Sequence, residues 1–167
     1  MRSGGFGVIV GNPPYVVYPN EHVQYDLSRG GYSTLSTKNL YAFVFERCLG
    51  LTSRHGQICL IVQLTSISSE RLPALQDLLI ARGLLLVAPF PRRPESIFEG
   101  VEMPVTILLS RHQAERCLIT SRINRFYTLE RATAMANLNF CEHSSRIDGF
   151  RIGKLCDANE ESILGRL

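Results

Sequence analysis

The stretch Phe6-Gly7-Val8-Ile9-Val10-Gly11-Asn12-Pro13-Pro14-Tyr15 limits what this chain can fold into more than any other. Phe6 to Val10 is apolar on both faces and rich in β-branched residues, the pattern of a strand inside a covered parallel sheet. Pro13 and Pro14 end it, because neither offers an N–H to a ladder and each fixes its own φ. Asn12 precedes a proline, so its backbone is pushed to the extended region and its side chain is held at the strand's C-terminal mouth. In open α/β sheets that mouth is where ligands bind. The plain alternative is a surface Pro-Pro turn with an incidental tyrosine. The buried-type strand in front of the turn favours a site.

The rest of the composition narrows the class. With 167 residues there is room for one core, or one domain with an incomplete neighbour. The chain is 45% hydrophobic, which places it among globular rather than disordered sequences. No apolar run reaches membrane-spanning length, and the N-terminus lacks the apolar core of a signal peptide, so no membrane partner is expected. Cys48, Cys59, Cys117, Cys141 and Cys156 are scattered and odd in number, which argues against a disulfide framework and for a reducing, cytoplasmic setting. They form no C-x-x-C pair, and His22, His55, His112 and His143 are equally dispersed, so no metal site is expected. The net charge of +3 is mild, yet every basic residue except Lys38 and Lys154 is an arginine, the residue suited to phosphate forks. Genome composition can produce the same preference.

Taken in order, Ser3-Gly4-Gly5-Phe6-Gly7 invites comparison with a nucleotide-binding loop but has the wrong order. Such a loop follows a strand and opens a helix, whereas these glycines precede a strand. Pro19 to Thr37 is polar and Gly-broken, with Tyr18, His22, Tyr25 and Tyr32 along it. It either covers a substrate or shields the edge of the core. Asn39 to Leu51 is expected to be a helix with Leu40, Val44, Cys48 and Leu51 on one face, and Thr37 or Asn39 as N-cap. Gln57 to Val62 reads as the next strand. Pro73 opens a helix that Gly83 ends, with Leu75, Leu78 and Leu79 as its stripe. Leu84 to Val87 is a further strand, followed by a proline-arginine loop from Pro89 to Pro94. Arg92 and Arg93 in that loop either touch phosphate or are solvated. From Thr120 the pattern loosens: Arg122, Arg125, Phe126, Tyr127 and Arg131 interleave basic and aromatic residues, as on a nucleic-acid face. Thr128 to Leu138 and Asp157 to Leu167 have a helical look.

Asn-Pro-Pro-Tyr after an apolar strand resembles the catalytic motif of amino-methyltransferases that use S-adenosylmethionine. The resemblance implies that the Asn12 side-chain oxygen and the Pro13 carbonyl accept hydrogen bonds from a target amino group. It implies too that Pro14 stiffens the turn and that the Tyr15 ring stacks on the target base. The chemistry suits these residue types. An aromatic exocyclic amine is a poor nucleophile, and two acceptors on its N–H bonds favour the pyramidal nitrogen that can attack a sulfonium methyl. On this account Tyr15→Phe should be mild, because the ring and not the hydroxyl stacks.

A narrower resemblance rests on Asn39-Leu40-Tyr41, Phe45-Glu46-Arg47, His55-Gly56-Gln57 with Leu60-Ile61-Val62, and Ser96 to Val101 followed by Pro104 to Leu109. These are similar to the adenine-specific DNA methyltransferases of restriction–modification systems, although Gln63 stands where that group commonly has proline. The resemblance implies an α/β fold: the second half of a Rossmann-like S-adenosylmethionine-dependent methyltransferase sheet, mostly parallel with a late antiparallel strand. Residues 1–121 would be the catalytic half of that domain, and 122–167, entered through Ile152-Gly153-Lys154-Leu155, the start of a target-recognition region. DNA would be the partner, touched by Tyr18, Arg92, Arg93, Arg122 and Arg125. The cofactor, S-adenosylmethionine, would be bound by a half absent from this chain, which a partner chain could supply.

Two rivals stay open. Asn-Pro-Pro-Tyr also marks methyltransferases acting on protein glutamine or on RNA guanine, and the chain could be an inactive, truncated remnant. In either case, if the first strands of the sheet are missing, Phe6 to Val10 should be an unblunted edge strand that promotes association.

Overall fold

The computed structural model describes residues 4–19, 21, 26–98, 102–143, 152–154 and 156. Six strands form one sheet: β1 (Phe6–Gly11), β2 (Thr52–Gln63), β3 (Gly83–Phe90), β4 (Val105–His112), β5 (Cys117–Ser121) and β6 (Phe140–His143). Their order is β1-β2-β4-β3-β5-β6. β1 runs parallel to β2 and β3 parallel to β5, whereas β4 is antiparallel to both β2 and β3, and β6 to β5. Four strands therefore point one way and two the other. This is the expected mixed α/β architecture, with the late antiparallel strand β4 inserted between β2 and β3.

The helices expected after Asn39 and from Pro73 form. α1 (Leu40–Leu51) follows Asn39, which is the N-cap by position, but its side chain donates back to the Thr37 carbonyl instead of capping the helix. After the four-residue turn of helix α2 (Thr65–Ser68), Pro73 opens α3 (Pro73–Ala81) at its first position. There its missing N–H leaves no donor unsatisfied. Gly83 then starts β3 at φ +99°, where an added Cβ would meet the Gln113 carbonyl oxygen at 2.3 Å. The helical pattern near residue 130 resolves into a 3-10 turn, Thr128–Glu130, and the short helix α4 (Arg131–Ala136).

One face of the sheet is sealed. Ile58, Leu60 and Val62 of β2, Leu85 and Val87 of β3 and Leu108 of β4 pack under Tyr41, Phe45 and Cys48 of α1 and Leu75 and Leu79 of α3. Among the described residues a second cluster covers the other face only near one end, where Ala88, Phe90 and Val105 meet Phe126, with Ala134 and Leu138 against them. Residues after Arg122 thus add β6 and Phe126 to the same body that β1–β5 build.

Among the described residues β1 is an edge, paired only with β2 in the sheet. Its outward row is bare: Phe6 is 62% exposed, Val8 63% and Val10 73%. No charge or proline blunts it. β2 approaches its start closely, since a Cβ on Gly56 would meet the Phe6 carbonyl oxygen at 2.5 Å. The expected helix over Asp157 to Leu167 lies outside the described residues, as do His22, Tyr25, Glu99 to Val101 and Leu155.

Candidate active site

β1, β2, β3 and β5 all end at one edge of the sheet, and the motif sits at the first of these mouths. β1 stops at Gly11, and Asn12-Pro13-Pro14-Tyr15 follows directly. Asn12 and Pro14 are exposed, Pro13 is buried and Tyr15 is half-buried. The segment after the motif is tied to the start of α1. Leu40 N–H donates to the Val16 carbonyl at 3.0 Å, and Tyr18 N–H donates to the Lys38 carbonyl at 2.7 Å. The turn is therefore clamped at both ends, by the sheet on one side and by a helix N-terminus on the other.

Tyr15 is anchored through both its ring and its hydroxyl. The ring stands edge-on to Tyr41, with centroids 6.3 Å apart and planes at 85°. It touches both apolar clusters. The hydroxyl oxygen lies 2.7 Å from Asn12 Oδ1 and 2.9 Å from the Ile61 carbonyl oxygen. Burial raises the Tyr15 pKa above its ordinary value, so the hydroxyl keeps its proton at neutral pH.

The other expected site residues are spread along or near the same edge. Tyr18 packs edge-on against Phe43, and its hydroxyl accepts the Leu27 N–H at 2.9 Å, which makes it an anchor of the loop that follows. Tyr32 leans on the same phenyl ring. Arg92 is paired with Glu102 across the loop between β3 and β4, while Arg93 is exposed beside it. Arg122 and Arg125, just past β5, line a groove of about 630 Å³ with Asn124, Asn137, Asn139 and Phe140. β5 is four strand positions from β1. At roughly 4.8 Å per step the arginine groove lies about 19 Å from the Asn12 mouth. The structure gathers the tetrad into one constellation and leaves the arginines as a separate flank.

Some contacts carry little signal in the sequence. Glu46 on α1 accepts four hydrogen bonds, from the N–H and hydroxyl of both Ser33 and Thr34, and so pins the loop beside the motif. Cys141 and Cys156, fifteen residues apart, have their sulfurs in hydrogen-bond contact at 2.9 Å, not joined as a disulfide. Burial, then the neighbouring Cys141, pushes the Cys156 thiol up to about 11, which makes it a poor nucleophile at neutral pH. Among the described residues no His, Cys, Asp and Glu group is arranged to hold a metal ion, and no helix is long and apolar enough to cross a membrane.

The residues present do not by themselves fit an adenosyl cofactor. Gly5 serves packing, because a Cβ there would lie 2.5 Å from the Ser53 nitrogen. Among the described residues, no strand pointing to the site edge is followed by a glycine turn into a helix. What stands at the mouth of β1 is the exposed Asn12, its side-chain amide against the Tyr15 hydroxyl.

The mixed six-stranded sheet, with the Asn12 turn at the mouth of β1, has the fold of several solved structures. The DrdV–DNA complex matches with a TM-score of 0.71 at 11% identity, covering 91% of this chain and 18% of that one. A nuclease-deletion mutant of the Type ISP restriction–modification enzyme LlaGI, in complex with a DNA substrate mimic, gives 0.68 at 15% identity, covering 93% and 18%. A class I S-adenosylmethionine-dependent methyltransferase from Listeria monocytogenes, so described provisionally, gives 0.56 at 12% identity, covering 81% and 42%. This chain therefore spans less than half the length of each of these structures. No curated protein matches it. The family model for the Eco57I restriction-modification methylase matches residues 1–85, half of the 167, and the chain belongs to that family.

Proposed function

We propose that this chain holds the target amine in a DNA methyltransferase of restriction–modification, one that moves a methyl group from S-adenosylmethionine to N6 of adenine. The observation that carries this is the placement of Asn12-Pro13-Pro14-Tyr15 at the mouth of β1, clamped between sheet and helix, in a chain of the Eco57I family. The Asn12 amide oxygen and the Pro13 carbonyl would accept the two N–H bonds of the adenine amine, and pre-placed acceptors of this kind lower the barrier by several kcal/mol. A base reached this way has to leave the duplex, and Tyr15 is the aromatic side chain beside it. Arg122 and Arg125, about 19 Å away, would meet phosphates roughly five to six base pairs along the duplex at ~3.4 Å per step. They would hold DNA and take no part in the chemistry. Arg93 and the exposed part of Tyr18 would serve the same end. The cofactor site would come from other parts of the enzyme, whether from the same polypeptide or a partner chain, and would adjoin the free edge of β1. Residues 122–167 would lead toward the target-recognition region.

The test uses the longer polypeptide or complex that carries this chain, with isotopically labelled S-adenosylmethionine and DNA, and identifies the product by mass spectrometry. N6-methyladenine is expected, and Asn12→Ala should lower its formation by about 100-fold or more without weakening cofactor binding. Methyl groups on protein glutamine or on RNA guanine, with none on DNA, would overturn the adenine assignment. Full transfer by Asn12→Ala would overturn the site.

A further inference from the structure

The Tyr15 hydroxyl has two oxygen neighbours and only one proton. Ile61, on β2, is the residue after Leu60, the last that β1 pairs, so Tyr15 reaches a carbonyl just past the end of the β1 ladder. A carbonyl can only accept. Asn12 Oδ1, at 2.7 Å, is likewise an acceptor in this orientation of the amide. One O–H cannot serve both well, and whichever oxygen it leaves would face the phenol oxygen lone pair to lone pair. Turning the amide by 180° exchanges its oxygen and nitrogen at nearly the same positions. It replaces that repulsion with a second hydrogen bond.

Resting on the reading of Asn12 as the acceptor for the target amine, we propose that Tyr15 is the residue that aims it. Tyr15 donates its proton to the Ile61 carbonyl and accepts one from Asn12 Nδ2, so Asn12 Oδ1 turns toward the open mouth. The opposite orientation would present an NH2 to the incoming NH2, donor against donor. The hydroxyl therefore has a role beyond what a stacking ring requires. Its anchorage suits that role, since the edge-on contact with Tyr41 and the two apolar clusters hold the ring, and burial keeps its proton in place. Asn12 is exposed, so a ligand can reach it. Tyr15 on this account is a positioning residue, acting through Asn12.

Two measurements test this. In the purified chain, NMR of the Asn12 side-chain amide should show one Nδ2 proton protected from exchange and close to the Tyr15 ring protons. Two Nδ2 protons that both exchange at solvent rates, with no proximity to Tyr15, would overturn the proposal without any variant being made. In the complete enzyme, Tyr15→Phe should lower kcat by about 10-fold or more with KM for DNA and cofactor affinity unchanged, as expected when a transition-state contact alone is misaimed. Asn12→Asp carries oxygen at both ends of its side chain. Adding Tyr15→Phe to it should therefore cost less than about 3-fold further, the coupling expected of two groups that act as one. An undiminished kcat in Tyr15→Phe, or an equal loss in the Asn12→Asp background, would overturn the positioning role. Wild-type transfer by Asn12→Ala would instead remove the premise, whatever the amide protons show.

Discussion

The two faces of the sheet carry the same alternation of apolar side chains and meet different fates. On one face Ile58, Leu60, Val62, Leu85, Val87 and Leu108 are each at most 3% exposed, because α1 and α3 lie across them. On the other, Cys59, Ile61, Ile107, Leu109, Leu84 and Leu86 are only half-buried, and at β1 the row Phe6, Val8 and Val10 is open. Strand alternation commits a residue to a face; whether that face is dry depends on which helices the chain lays over it. The uncovered part adjoins the free edge of β1, where the proposed cofactor half would dock. The contrast separates what holds this body together from what it offers to a partner.

The largest effect should come from the sealed face. Leu79 on α3 is fully buried, and Leu79→Ala is expected to cost about 2–5 kcal/mol in urea unfolding, through lost transfer energy and a cavity. Val10→Ala, on the bare row, should change the same measurement by less than about 0.5 kcal/mol. Equal losses at both positions would mean that something covers β1 in solution.

A middle-sized effect should come from Glu46, which holds its loop by hydrogen bonds with little burial to help. Burial raises its pKa, but the bonds from Thr34 and Ser33 outweigh that, and the net shift is downward. A carboxylate with a depressed folded pKa contributes stability that is fully present above its unfolded value, about 4.3, and is lost as pH falls through the lower folded value. Glu46→Gln keeps only one acceptor oxygen. It should cost about 1–2 kcal/mol near neutral pH, the lower part of the range for bonds to a charged group, because Glu46 is only partly buried. The difference from wild type should shrink in unfolding curves run below about pH 4. A difference that grew on acidification would contradict the role given to the four bonds.

The smallest effect on stability should be at the edge itself. Val8→Lys is expected to leave the unfolding midpoint within about 0.5 kcal/mol and yet to reduce self-association, because a charge on an open edge opposes strand addition. Size-exclusion chromatography with light scattering reads this directly. A wild-type chain that is already monomeric, with slow hydrogen exchange at residues 6–10, would show that the edge is covered.

The sequence by itself determined the elements whose signals are local. Phe6 to Tyr15 read as strand and rigid turn because β-branching and two prolines act within a few bonds. α1, α3, β2 and β3 announced themselves through apolar patterning, Pro73 and Gly83, whereas β4 was expected only through the family resemblance. β5 and β6 were not apparent: Cys117–Ser121 and Phe140–His143 are short, and they are strands only because β3 offers a free side for β5 to pair, and β5 in turn for β6. The candidate site divides in the same way. Composition and order named Asn12, Pro13, Pro14 and Tyr15, but only the tertiary structure brought the Ile61 carbonyl, 46 residues away, against the Tyr15 hydroxyl. It likewise brought Glu46 to Ser33 and Thr34, and Cys141 to Cys156. A hydrogen bond between distant residues leaves no period in the sequence, since its geometry exists only once the sheet has fixed where each strand ends.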